Sequence, residues 1–131
     1  MKIDDHSFGD WPASPLYRLD ENKQPVAARD MAEWAEWAAT AWNDIGKRIV
    51  GSTELDGGAV WVSTVFLPAP GTRLTPDGQL KRDQFFETLV FGGPFDGGGR
   101  KYQTWQAAET GHAELVAALQ ALLAAKSPSQ T

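Results

Sequence analysis

Few residues in this chain have types and spacing that could do chemistry. Of its two histidines, His112 has the better-defined setting: at ~100° per residue it falls within the apolar stripe of the last helical segment. An imidazole there could serve as a general base, with Glu87 or Glu109 as the orienting carboxylate. It could equally be a packed ring whose nitrogens are satisfied by a strand carbonyl or a carboxylate, because burying an unpaired polar group costs a few kcal/mol. Glu87 is the one charge within Phe85–Phe91, on the face shared by Phe85, Leu89 and Phe91. It is either a functional acid at a rim or a charge that marks an exposed edge. His6 reads as incidental. Ser63 and Thr64 sit mid-strand, without the tight turn that exposes a nucleophile. Gly92–Arg100 is rich in glycine but lacks the Gly-Lys-Ser/Thr ending of a phosphate-binding loop, so a wide hairpin loop explains it better. There is no cysteine and no His/Asp/Glu cluster with metal-ligand spacing, so neither a metal nor a cofactor is expected.

The elements that would position these groups centre on Ala59–Leu67. This stretch is the least polar in the chain, bounded by Asp56-Gly57-Gly58 and Pro68-Ala69-Pro70-Gly71. It reads as a strand, with Val60, Val62, Thr64 and Phe66 on one face and Trp61, Ser63, Val65 and Leu67 on the other. Both faces are mostly apolar, which predicts a central strand covered on two sides. Phe85–Phe91 is a second strand and its expected partner. Earlier in the chain, Pro15–Leu19 and Pro25–Ala27 flank a polar turn and read as a short edge hairpin. Asp30 and Glu33 form a capping box for a helix over Met31–Asp44, with Trp34, Ala38, Ala41, Trp42 and Ile45 on its stripe.

Lys47–Glu54 predicts a strand turning through Asp56-Gly57-Gly58. The roughly seventeen residues after Leu67 show no clear element, which is long for a compact domain. Within them Thr75-Pro76-Asp77-Gly78 signals a turn, and Leu74 and Leu80 flank a small protruding hairpin. A short strand over Arg100–Thr104 leads into a final helix from near Thr104 to Ala125, whose stripe is Ala108, Leu115, Leu119 and Leu122. The expectation is an α+β fold: an antiparallel meander of about four strands plus a short N-terminal hairpin, packed by two α-helices. Residues 1–14 read as a mobile arm anchored only by Trp11, residues 15–126 as one globular domain, and residues 127–131 as a disordered tail.

Composition narrows the partners. The chain has 131 residues, with 17 acids against 12 bases, giving a net charge of −5. Acids are scattered and no basic stripe exists, which argues against direct nucleic-acid binding. No apolar run approaches the ~20 residues of a membrane span, and no export signal opens the chain, so a cytoplasmic location is the default. Six tryptophans are many for this length. Trp is a natural interface anchor and also a common core residue.

Val62-Ser63-Thr64-Val65-Phe66-Leu67, Phe86-Glu87-Thr88-Leu89-Val90-Phe91-Gly92-Gly93, Tyr102-x-x-Trp105 and Gly111-His112 together resemble a family of small uncharacterised proteins carried by temperate phages and bacterial prophages. Tyr17-Arg18-Leu19-Asp20 and Glu33-Trp34 resemble its start. The likeness covers roughly residues 15–120, and the chain departs from it in the Pro68-Ala69-Pro70 insertion. It implies a phage-borne origin and no particular catalysis. The leading expectation is therefore a non-catalytic interaction protein in the host cytoplasm that binds a protein partner, such as a host enzyme or a defence component. Trp11, Trp37, Phe95 and the hairpin residues Arg73, Lys81 and Arg82 are its expected contacts, and a homodimer is one option for its assembly. The competing readings are a small enzyme or ligand-binding domain centred on His112 and Glu87, and a minor virion or assembly component.

Overall fold

A computed structural model describes residues 15–126; the expected arm, the tail and Trp11 lie outside the described residues. The chain forms β1 (Tyr17–Leu19), β2 (Pro25–Ala27), α1 (Met31–Ala41), β3 (Ile49–Leu55), β4 (Val60–Leu74), β5 (Leu80–Phe91), β6 (Gly99–Tyr102) and α2 (Trp105–Lys126). β1 and β2 pair as a hairpin, and the other strands make a four-stranded sheet in the order β3-β4-β5-β6. Every pairing is antiparallel. This is the α+β fold that the sequence predicts.

Local chemistry explains the helix starts. Asp30 Oδ1 accepts from the Glu33 amide at 2.8 Å, and Glu33 Oε1 reaches back to the Arg29 amide at 2.6 Å. One of the amides that a helix start leaves open is thereby satisfied, and the Glu33 carboxylate fixes the amide just before the cap. Glu33 also lies 3.6 Å from Arg18, and Trp34 donates its indole N–H to the Tyr17 carbonyl at 3.1 Å, so α1 is tied to β1. α1 ends at Ala41 rather than near Asp44, because residues 42–48 turn back into β3; Ile45, expected on the helical stripe, is 70% exposed. Thr104 caps α2 by accepting from the Ala107 amide at 3.1 Å.

Alternation along the central strands decides which side is core. Val60, Val62, Thr64 and Phe66 of β4, with Phe86, Thr88 and Val90 of β5, are all at most 2% exposed. α2 lays Trp105, Ala108, Leu115 and Leu119 on that side. The β1–β2 hairpin and α1 cover the same side: Leu19 joins Phe66, Phe86, Trp105 and Ala108, and Trp37 meets Phe66 edge-on with ring centroids 5.6 Å apart. Each fully buried Phe or Val contributes ~1.5–3 kcal/mol.

The opposite face of the sheet is bare among the described residues. Trp61, Leu89 and Phe91 are 41%, 39% and 45% exposed. The expectation of a strand covered on two sides is corrected here: every described helix packs on one face, and apolar residues on the other remain in water.

A second correction concerns residues 68–84. β4 runs on to Leu74 and β5 starts at Leu80, so what reads as a loop is mostly a two-stranded arm. Between the pairs Phe66↔Phe86 and Gly71↔Gln84, β4 places four residues opposite the single Phe85. Pro68 and Pro70 fall in that bulge, where they have no N–H to give to a ladder.

Candidate functional site

His112 sits where the two apolar clusters of the core meet. Thr64 and Thr88 are cross-strand partners lying between the Val62–Val90 and Phe66–Phe86 pairs. His112 Nδ1 is 2.7 Å from Thr64 Oγ1, and Nε2 is 2.8 Å from Thr53 Oγ1 of β3. Thr64 Oγ1 is 2.5 Å from Thr88 Oγ1, which is 3.1 Å from the Tyr102 hydroxyl. The result is a polar belt, Thr53–His112–Thr64–Thr88–Tyr102, crossing an otherwise apolar interior.

Two glycines make room for the belt. A Cβ on Gly51 would lie 3.0 Å from the His112 ring, and one on Gly111 would lie 2.3 Å from the Tyr102 ring. The belt's chemistry is closed. A neutral imidazole has one donor and one acceptor nitrogen, and the hydroxyl chain can run in either direction to match either tautomer. Both nitrogens are engaged, which leaves neither for a carboxylate. Burial holds the His112 pKa below its ordinary value, favouring the neutral ring.

The pairing of His112 with Glu87 is corrected by alternation. Glu87 lies between the buried Phe86 and Thr88, so it emerges on the bare face, opposite Val65 and Lys101. The sheet stands between it and His112. Glu109 is exposed on α2. No group of three or more His, Asp or Glu side chains among the described residues could hold a metal ion.

The expected contact residues divide by burial. Trp37 packs on Phe66 and borders a cavity of about 350 Å³ between the β1–β2 turn and the end of α1, together with Leu19, Asp20, Lys23, Thr40 and Lys47. Phe95 packs against the Val60–Val62–Val90 cluster and borders a cavity of about 460 Å³ under the glycine-rich loop, with Asp96, Arg100 and Leu115. Both aromatics therefore serve the core as much as the surface. His112 lines neither cavity.

Arg73, Lys81 and Arg82 lie on the projecting arm. Arg73 makes a two-point ion pair with Asp83, at 2.7 and 2.9 Å, and Gln103 donates to the same carboxylate at 2.7 Å. Those bonds hold the Asp83 carboxyl below its usual pKa, the Arg73 pairing being the largest cause. Lys81 and Arg82 are exposed beside the cross-strand pair Leu74↔Leu80, whose members are 67% and 72% exposed.

Sequence reasoning missed two surface features and read a third only in outline. Trp61 stacks on Phe91 with centroids 5.0 Å apart and donates to Ser52 Oγ at 2.8 Å on the bare sheet face. Leu74 and Leu80, read as flanking a protruding hairpin, do so and form its exposed apolar end. Arg48 lies over the Trp42 ring at 3.8 Å, with its buried Nε lacking a partner. The first had a usable signal: the odd-numbered residues of Ala59–Leu67 are as apolar as a covered face, although no described helix packs on them. No helix among the described residues is long and apolar enough to cross a membrane. No family model, curated protein or solved structure matches the chain.

Proposed function

We propose that this chain is a small, non-catalytic interaction protein of phage or prophage origin, acting in the bacterial cytoplasm by presenting the β4–β5 arm to a protein partner. The observation that carries this reading is the exposed Leu74–Leu80 pair at the end of a projecting, braced hairpin. β3 pairs β4 only as far as Val65 and β6 pairs β5 only from Phe86 to Leu89, so Gly71–Leu74 and Leu80–Gln84 pair with each other alone. A lone two-stranded ribbon is marginal in water. The Arg73–Asp83–Gln103 contacts and the Thr75–Gly78 turn brace it, while its apolar end stays solvent-exposed. Lys81 and Arg82 beside that end suit a partner cleft with an apolar floor and an acidic rim.

The phage-borne origin rests on the resemblance, and the belt supplies a structural reason for part of that motif set. Thr64, Thr88, Tyr102, Gly111 and His112 form or admit the belt, so residues of the motif account for packing without requiring a reaction. The reading of an enzyme centred on His112 gains no support from a ring with both nitrogens engaged.

The test is affinity capture from bacterial lysate with the wild-type chain and a Leu74→Ser/Leu80→Ser variant, read by quantitative mass spectrometry. A specific partner should be retained by the wild type and fall ~10-fold or more with the variant, as expected for truncating central apolar contacts. Equal retention by both would remove the arm from the interface.

A further inference from the structure

The glycine-rich loop fails as a phosphate cradle by sequence, yet it borders a cavity in which the arm takes no part. Hydrogen bonds fix its shape. The Gly97 amide donates to the Val90 carbonyl at 2.9 Å, the Val90 amide to the Gly98 carbonyl at 3.0 Å, and the Gly92 amide to Asp96 Oδ1 at 2.7 Å. A Cβ on Gly98 would lie 2.9 Å from the Phe95 carbonyl oxygen, and one on Gly99 would lie 2.5 Å from that of Thr88. Both positions therefore stay without side chains, and the stretch of wall they form is bare backbone. Val90 of β5, Leu115 of α2 and the half-buried Phe95 supply an apolar lining. The space of about 460 Å³ falls in the lower half of the ~300–1,000 Å³ that small-molecule sites span.

The charged part of the lining is one acid and one base, Asp96 and Arg100. Asp96 Oδ1 is held by the Gly92 amide, while Oδ2 has no partner among the described residues. Arg100 Nη1 lies 3.1 Å from Glu114 Oε1, and the other guanidinium nitrogens make no bond among those residues. A guanidinium carries five N–H donors, so this single contact leaves it able to take a second carboxylate. The Arg100 and Glu114 side chains are 47% and 61% exposed, which makes their pairing weak and readily shared.

We infer that this cavity binds a free α-amino acid with a large aliphatic side chain. Its carboxylate takes the open donors of Arg100, its ammonium meets Asp96 Oδ2, and its side chain lies on Val90, Phe95 and Leu115. A fatty acid or an alkylamine complements one of the two charges, whereas a zwitterion complements both. Neither end of a polypeptide carries both charges on one residue, which favours a free amino acid over a docked chain terminus. The loop is already closed by its own hydrogen bonds, so binding orders little of the protein. The charges face solvent, and a dissociation constant on the order of 0.1–1 mM is expected.

The experiment is amide NMR of the full chain titrated with L-leucine to about 20 mM at fixed pH and salt. Saturable shifts are expected at Phe95–Arg100 and Leu115, with the rest of the spectrum unchanged. Isocaproate lacks the ammonium, isoamylamine the carboxylate and glycine the apolar body, and each should bind at least about 10-fold more weakly. Arg100→Gln should weaken leucine binding to the same degree. So should Asp96→Asn, whose amide oxygen can still accept from the Gly92 amide. No saturable shift by about 20 mM, or shifts centred outside the cavity, overturns the proposal. Isocaproate or isoamylamine matching leucine overturns the zwitterion and the proposal with it, and glycine matching leucine does the same through the apolar lining. Leucine binding that survives both substitutions takes the two charges out of the site and also overturns it. The analogue comparisons need no variant to fold, and no residue of the arm lines the cavity, so the outcome is independent of the capture experiment.

Discussion

His112 behaves as a keystone of the core, and its protonation is linked to folding. Burial holds its folded pKa below the value of an exposed imidazole. Between the two values the unfolded chain binds more protons than the folded one, so stability falls as pH drops. The contribution is intact above the unfolded value near 6.5 and is lost as pH falls through the folded value. Thermal melts from pH 8 to pH 5 should show a decline steeper in the wild type than in His112→Gln, whose amide can bond the threonines but cannot titrate. Subtracting the variant removes the common contribution of His6 and the carboxylates, and parallel curves would contradict the linkage. The sequence places His112 on a buried stripe correctly. It could not supply Thr53, Thr64 and Thr88, because these come from three strands whose register is set by long-range pairing. The same limit explains Glu87: its own face was readable, but which face of the sheet α2 would cover was not.

The strands over Ala59–Leu67 and Phe85–Phe91 were legible because β-branched and aromatic residues alternate there without breakers. The arm beyond them was not, since Pro68, Pro70 and Gly71 break the local pattern and pairing across the hairpin restores it. Its stiffness should therefore depend on specific side chains. Asp83 accepts from both Arg73 and Gln103, joining the arm to the segment between β6 and α2. In Asp83→Ala, amides over Gly71–Leu74 and Leu80–Gln84 should exchange with deuterium several-fold faster, while those of Val60–Phe66 stay unchanged. Acceleration spread evenly along β4 would mean that the arm and the sheet open as one unit. The variant would then report on global stability rather than on bracing of the arm.

Over the whole molecule, charge sets how the arm would meet a partner. The chain carries a net charge of −5, yet Lys81 and Arg82 are exposed cations beside Leu74 and Leu80. Their attraction to an acidic rim weakens as salt shortens the reach of charge, from ~10 Å at 0.1 M to ~3 Å at 1 M. The apolar outward positions of the sheet, Trp61, Val65, Leu89 and Phe91, were legible as residues, but that no described helix packs on them follows only from the tertiary fold. Retention of a partner by the wild type should fall several-fold between 0.02 and 0.5 M NaCl, measured by quantitative capture at each salt concentration. Lys81→Ala/Arg82→Ala should flatten that dependence, because it removes the screened attraction and leaves the apolar contacts of Leu74 and Leu80. An equal salt dependence in both proteins would take the two cations out of the contact.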